Sequence, residues 1–159
     1  NALRNATLFG FSFSMRLDLV INIFVYNLIN NKKILIDGNG NQFRPFISVN
    51  DVIKIYKIII KSNFPSFICN LVSFNAPINL IANKICKVLK FNKRYINYND
   101  KFVDQRNYFV RSNNFKKYFK NFKFSNFNYE IKNLGKKLKK YNFKLNSETI
   151  RMKFYKNFF

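Results

Sequence analysis

The sequence predicts an α/β fold, and three observations favour it. Short apolar runs that suit strands alternate with longer segments in which apolar residues recur at helical spacing. A chain of 159 residues is a normal size for one domain, and 48% hydrophobic residues can form a core. The clearest turn signal, Asp-Gly-Asn-Gly-Asn at 37–41, separates two apolar runs. We find no internal repeat or domain boundary, so residues 1–159 are expected to form one unit.

The predicted strands and helices follow from the spacing of the apolar residues. Apolar runs predict strands at 2–9, 33–36, 43–49, 67–72 and 95–98. Helices are predicted at 17–30, 52–61, 77–89, 115–120 and 129–141. Residues 100–106 are predicted to form a loop. Strands and helices therefore alternate along most of the chain.

Several of these strands and helices have a residue near one end that predicts where the element begins or stops. Gly10 is predicted to stop the first strand. Asn50 and Asp51 are predicted to cap the second helix, because their side-chain oxygens can accept hydrogen bonds from helical N–H groups. Pro77 suits the start of the third helix, where its missing N–H would have no partner in any case. Gly135 weakens the last helix without excluding it.

The amino-acid composition excludes several classes of function. The chain has no histidine, and Cys69 and Cys86 lack the spacing of a zinc site, so zinc sites and histidine-dependent catalysis are excluded. Both cysteines are expected to be buried reduced thiols, which fits a cytoplasmic location. The longest mainly apolar stretch, 17–29, contains Asp18 and two asparagines, so we expect no membrane-spanning helix and no membrane partner.

A complete dinucleotide-binding domain is not predicted either. The glycines are Gly10, Gly38, Gly40 and Gly135, so no Gly-x-Gly-x-x-Gly phosphate loop can be written. No tyrosine is followed by a lysine four residues later. The chain opens on Asn1 without a leader-like pattern, and we expect it to be a fragment or a processed product.

The net charge of +22 allows two interpretations. Residues 1–80 carry 8 basic and 3 acidic side chains, whereas 81–159 carry 21 and 4, so the second half could be a basic nucleic-acid-binding module. Its aromatic and lysine residues at 115–124 would then form a stacking platform for a single strand. We favour the other interpretation, that drift of the gene toward A and T raised Lys, Asn, Ile, Phe, Tyr and Met together. Lysines outnumber arginines 22 to 7, which also disfavours bidentate phosphate recognition.

Six segments share one order and spacing with a known family. They are 3–10 (Leu-Arg-Asn-Ala-Thr-Leu-Phe-Gly), 15–22 (Met-Arg-Leu-Asp-Leu-Val-Ile-Asn), 37–38 (Asp-Gly), 44–52 (Arg-Pro-Phe-Ile-Ser-Val-Asn-Asp-Val), 67–70 (Phe-Ile-Cys-Asn) and 104–110 (Asp-Gln-Arg-Asn-Tyr-Phe-Val). Together they resemble the C-terminal half of the NAD-dependent epimerase/dehydratase family, the extended short-chain dehydrogenases/reductases that act on nucleotide sugars. The segment 44–52 is the most specific of them.

The resemblance implies an incomplete Rossmann-type fold: the last Rossmann strands followed by a mixed α/β substrate-binding subdomain. In that family an N-terminal Rossmann half holds NAD and carries a catalytic Tyr-x-x-x-Lys pair. NAD is therefore expected to be bound mainly by a half that is missing here, and the chain alone is expected to be inactive. The expected partners are a nucleotide sugar and either a separate Rossmann half or a second copy in a homodimer, and nucleic acid is not favoured.

The resemblance also implies substrate-binding residues. Arg44 matches an arginine that contacts the nucleotide diphosphate, and Asp104 matches a carboxylate near the ribose. Lys101 stands where an arginine is common, so its phosphate contact would be a weaker point charge. Thr7 matches the strand end that faces the sugar. Asn22 matches a helix residue that often contacts the nucleotide, or is a product of the same compositional drift.

Arg106 and three departures from the family pattern leave the shape of the substrate loop open. Arg106 is expected either to contact the ligand or to pair locally with Asp104. Phe11 stands where the family usually has proline, and Ser48 stands where histidine is frequent. Residues 71–72, Leu-Val, replace Val-Gly and remove a position at which the backbone is permissive.

Overall fold

The computed structural model describes residues 1–100, 106–146 and 149–150, and it confirms the predicted α/β class. The strands are β1 (Ala2–Asn5), β2 (Thr7–Phe9), β3 (Ile34–Asp37), β4 (Phe43–Ser48), β5 (Ile68–Leu71), β6 (Phe74–Pro77) and β7 (Ile96–Asn99). The helices are α1 (Val20–Ile29), α2 (Val49–Ile60), α3 (Ile78–Leu89), α4 (Phe115–Tyr118) and α5 (Phe127–Lys140). A short 3-10 helix, Lys93–Tyr95, precedes β7.

The strands of the described part form three small sheets. β1 pairs with β5 and β3 pairs with β7, both in parallel. In the third sheet β4 lies between β2, which is parallel to it, and β6, which is antiparallel. β6 was not predicted, because its short sequence Phe-Asn-Ala-Pro has no clear alternation of apolar and polar residues.

The predicted single buried strand at 2–9 was wrong in two respects. The segment forms two strands that belong to different sheets, with Ala6 between them. The Ala6 N–H donates to the carbonyl oxygen of Leu71 at 3.0 Å, so the backbone of Ala6 still follows β5 before β2 joins β4. Most of β1 is exposed, because it pairs with β5 on one edge only within the described residues.

Two hydrophobic clusters hold these sheets. In the larger one, α1, α3 and α5 pack together, and Gly135 of α5 brings the helix backbone close to Val25 and Ile29 of α1. In the smaller one, α2 and α4 cover one face of β5 through Ile55 and Phe115. On the other face of the β1–β5 pair, the side chains of Ala2, Arg4 and Ile68 are exposed within the described residues.

The helix starts differ from the predictions. Helix α2 begins at Val49, and its cap is Ser48, whose Oγ accepts a hydrogen bond from the Asn50 N–H at 3.1 Å. The predicted cap at Asn50 and Asp51 was therefore wrong. Asp51 instead binds the N–H of Ser125 at 3.0 Å and its hydroxyl at 2.6 Å, and so ties the loop before α5 to α2.

The two cysteines confirm the expected buried thiols. Cys69 lies in β5 and Cys86 in α3, and both are buried and free. Burial raises the pKa of both thiols, so they stay protonated to higher pH than an exposed cysteine would. Among the described helices, none combines the length and the apolar character that crossing a bilayer requires.

Gly40→Ala is expected to destabilise the fold by about 2 kcal/mol. Gly40 has a φ of +74°, and an added Cβ would lie 3.0 Å from Asn79 Cβ and 3.1 Å from Ile36 Cγ2. The substitution would therefore combine backbone strain with overpacking. The matched control is Gly135→Ala, in which the new Cβ would lie at least 3.5 Å from its neighbours and alanine favours the helix. Urea unfolding measures both, and equal stability of the two variants would contradict this account.

Candidate functional site

A cavity of about 640 Å³ opens at the junction of β1 and β2, and it is the candidate site. The side chains that give it chemical character are Arg4, Thr7, Arg16, Asn70, Tyr108 and Val110. They come from four separate stretches of sequence, and the pairing of β1 with β5 places Arg4 directly opposite Asn70. The pairing of the strands therefore assembles the cavity wall.

The cavity has a positive electrostatic character. Arg4 and Arg16 line it, and no acidic residue does so among the described residues. The Arg16 guanidinium is held by Asp18 in a two-point contact, with Nε to Oδ1 at 3.0 Å and Nη2 to Oδ2 at 2.9 Å. Asp18 thus fixes the orientation of the arginine beside the cavity, where the guanidinium is one-third exposed.

A second, smaller cavity of about 310 Å³ adjoins the first and shares Arg4 and Asn70 with it. Arg111 adds a third guanidinium to this region. The Asn70 side-chain amide donates to the Arg111 carbonyl oxygen at 3.0 Å, which fixes the chain at the point where the two cavities meet. Three arginines around one connected hollow are suited to a ligand that carries more than one negative charge.

The segment 106–110 closes the cavity, and Arg44 holds this segment in place. Arg44 lies in β4 and is 6% exposed. Its Nη1 donates to the carbonyl oxygens of Phe43 and Arg106, and its guanidinium lies 4.8 Å from the ring centre of Tyr108. The buried Arg44 guanidinium therefore joins β4 to the segment 106–110, in which Tyr108 forms part of the cavity wall.

Asn75 of β6 makes the second attachment of this segment. Its amide nitrogen donates to the Val110 carbonyl oxygen at 3.1 Å, and its amide oxygen accepts from the Val110 N–H at 2.9 Å. With these two hydrogen bonds, the Asn75 side chain pairs with the Val110 backbone as a neighbouring strand would. Val110 therefore reaches the cavity from a fixed position.

The predicted site residues that the structure describes can now be placed. Thr7, at the start of β2, lines the main cavity. Asn22 is 2% exposed, and its amide accepts from the Gly10 N–H at 3.1 Å and donates to the Arg16 carbonyl oxygen at 2.9 Å. It closes the loop that carries Arg16 to the cavity. Its predicted contact with a nucleotide stays a prediction.

The remaining predicted residues divide into two groups. Arg44 and Arg106 meet at the edge of the site through the Arg106 carbonyl oxygen, and their contacts to a ligand stay predictions. Lys101 and Asp104 lie outside the described residues. The predicted group is therefore only partly brought together within the part of the chain that the structure describes.

Sequence reasoning missed Arg4, Arg16, Asn70, Tyr108 and Arg111 as cavity residues. Arg4 and Arg16 stood inside recognised motifs, but no residue pattern indicated which face of the strand or loop they occupy. Arg4 and Asn70 become neighbours only through the register of the parallel pair β1–β5, which the alternation along each strand does not predict. Among described residues, no cluster of metal-binding side chains accompanies them.

Comparison with solved structures identifies the fold. A dTDP-glucose 4,6-dehydratase from Bacillus anthracis, in complex with NAD, matches 94% of this chain with a TM-score of 0.71 and 17% identity, over 46% of its own length. A UDP-N-acetylglucosamine 4-epimerase from Methanobrevibacter ruminantium, in complex with UDP-N-acetylmuramic acid, matches 88% of this chain with a TM-score of 0.72 and 23% identity, over 46% of its length.

A UDP-glucuronic acid 4-epimerase from Bacillus cereus, in complex with UDP-glucuronic acid and NAD, matches 87% of this chain with a TM-score of 0.73 and 15% identity. This chain covers 45% of that structure, so it spans about half the length of the enzymes it matches. Neither protein-family profiles nor curated protein sequences gave a match. At these identities the likeness shows the fold alone, and that fold is the one that the resemblance to the epimerase/dehydratase family implies.

Arg44→Lys is expected to loosen the segment 106–110 and to cost about 1 to 3 kcal/mol of stability. A lysine ammonium cannot bind two carbonyl groups and also lie flat over the Tyr108 ring. Hydrogen exchange of the Val110 amide should accelerate, and urea unfolding gives the free energy. Arg94→Lys is the control, because Arg94 is exposed and lies 6.0 Å from the Tyr95 ring centre. Unchanged Val110 exchange in Arg44→Lys would refute the positioning role.

Proposed function

We propose that this chain is the substrate-binding half of an NAD-dependent nucleotide-sugar epimerase or dehydratase. One observation carries the proposal: a cavity lined by Thr7 and two arginines lies in a fold that matches half of such enzymes. The half match also agrees with the order of the sequence motifs.

The cavity residues suit the parts of a nucleotide sugar. The positive charge of the Arg16 guanidinium, which Asp18 orients through Nε and Nη2, would attract the diphosphate. The Thr7 hydroxyl can both donate and accept, as a sugar hydroxyl requires. Tyr108 would form a fixed wall for the ligand, since Arg44 holds its ring from the other side.

The remaining resemblance-based residues belong to the same proposal. Arg44 would approach a phosphate only from the rim of the cavity, because it is largely buried. Lys101 and Asp104 would add a charge and a ribose contact. Asn22 and Arg106 would complete the group of residues that contact the ligand. Each of these ligand contacts is a proposal that a complex would test.

NAD fits this chain poorly, and we propose that the other half of the enzyme holds it. The described helices begin at caps such as Leu19 and Pro77, without a glycine-rich loop before them. A dinucleotide pyrophosphate needs the close backbone approach that such a loop allows. When bound, NAD would supply the acceptor for a hydride from the sugar. No tyrosine here has a lysine four residues later, so turnover would require the partner half.

The second edge of β1 supports the proposal that the partner half contributes a strand to this sheet. β1 pairs with β5 in parallel on one edge, and no other strand of the described part pairs with its second edge. A further parallel strand would satisfy these backbone groups and extend the sheet. We propose that a Rossmann half binds here, from the same polypeptide or from a separate one. A homodimer is the alternative arrangement for this partner surface.

The nucleic-acid alternative receives less support. The proposed stacking platform at 115–124 is mostly occupied by the protein itself, because Phe115 and Phe119 are buried in the smaller core. Their rings pack against each other at 4.9 Å between centres. Rings with this role cannot receive nucleobases without unfolding the cluster.

Isothermal titration of the chain with UDP-sugars and dTDP-sugars tests the proposal. We expect saturable binding that Arg16→Met weakens about tenfold, because a charged hydrogen bond to phosphate is lost. Thr7→Val should weaken binding by a smaller factor. Arg94→Met is the control, since it removes the same charge from an exposed residue outside both cavities. Equal losses in the two arginine variants, or no binding to any of these sugars, would refute the assignment.

A further inference from the structure

A second groove lies between α2 and residues 118–123, and none of its lining residues belongs to the candidate site. Its volume is about 690 Å³. Its apolar lining residues, here called the floor, are Ile58, Tyr118, Phe119 and Phe122. Its basic lining residues, here called the rim, are Lys54, Lys57, Lys120 and Lys123. The lining therefore combines apolar side chains with lysines from two parts of the chain.

The groove keeps a net positive charge. Asp51 is the nearest acidic side chain in the described contacts, and it is already bound by the Ser125 N–H and hydroxyl. Lys54 contacts Asp51 at 3.4 Å and the Ser125 hydroxyl at 2.9 Å, so it is fixed at the rim. Lys57 and Lys120 are exposed, and no acidic residue lines the groove in the part of the chain described.

The aromatic floor offers edges and small apolar surfaces instead of free ring faces. The Tyr118 ring stacks on Phe67 with 4.1 Å between ring centres, and Lys117 lies 5.5 Å from its centre. Phe119 is 4% exposed. Phe122 packs edge to face with the Phe124 ring at 5.2 Å. A nucleobase therefore finds no open ring to stack on, whereas an aliphatic side chain can rest on these edges.

We propose that this groove binds an acidic peptide segment of a partner protein, with an apolar side chain on the floor and carboxylates at the lysines. Charge complementarity favours this occupant, because four lysines line the groove together with apolar side chains and no acidic residue of the described part lines it. A linear segment suits the groove better than a flat bilayer, since Phe119 in the floor is 4% exposed whereas Lys57 and Lys120 are exposed. The interaction is independent of the nucleotide-sugar site and extends the protein's role to partner binding.

Fluorescence anisotropy with a labelled peptide of Glu-Glu-Leu repeats tests the proposal on the full chain. The double variant Lys57→Glu with Lys120→Glu should weaken binding about tenfold or more, because two attractive contacts become repulsive. The control is Lys32→Glu with Lys84→Glu, which changes the charge equally at two exposed lysines outside the groove. It should weaken binding about twofold at most. Ile58→Ser should weaken binding through the floor without changing the charge.

Several outcomes would overturn the proposal. Equal losses in the two double variants would indicate attraction by net charge alone. Equal binding of a Gln-Gln-Leu peptide would exclude carboxylate recognition. Groove-dependent binding of oligothymidine or of phosphatidylserine vesicles, with none of the peptide, would assign the groove to another partner. Should the charge reversal unfold the chain, Lys57→Gln with Lys120→Gln replaces it and carries the same requirement of weakened binding.

Discussion

The buried guanidinium of Arg44 is the contact on which the candidate site depends. A cation that is 6% exposed must find hydrogen-bond acceptors inside the protein, and Arg44 finds them on the backbone at Phe43 and Arg106. The cost of burying the charge is thereby offset by contacts that draw the segment 106–110 against β4. Without that segment the cavity would lack Tyr108 and Val110 and would open to solvent.

The charge of the protein becomes interpretable once the fold is known. The total of +22 lies mainly in residues 81–159, which carry 21 basic and 4 acidic side chains. The arginines and the lysines lie at different places in the fold. Arginines line the two adjoining cavities near β1, whereas lysines line the groove beside α2. Arginine suits planar two-point recognition of phosphate, and lysine suits looser attraction to carboxylates. The two surfaces therefore call for different ligands.

The sequence predicted most helices and strands, because their apolar spacing is strong. The prediction failed where pairing between distant segments determines the secondary structure. β6 is a strand because it pairs with β4. The segment 2–9 forms two strands because its first half pairs with β5 and its second half pairs with β4. Thr7 could be predicted as a cavity residue from the motif. Arg4 and Asn70 could not, since their proximity depends on a register that no local pattern encodes.

The central claim is that the cavity at the junction of β1 and β2 receives a nucleotide sugar, and mapping the bound ligand by nuclear magnetic resonance tests it most directly. Amide shifts would be followed in the isotope-labelled chain during titration with UDP-glucose and dTDP-glucose. The account predicts saturable shifts at Thr7, Leu8, Tyr108 and Val110, with the amides of 120–123 unchanged. Shifts confined to 120–123, or no shifts at saturating ligand, would contradict it.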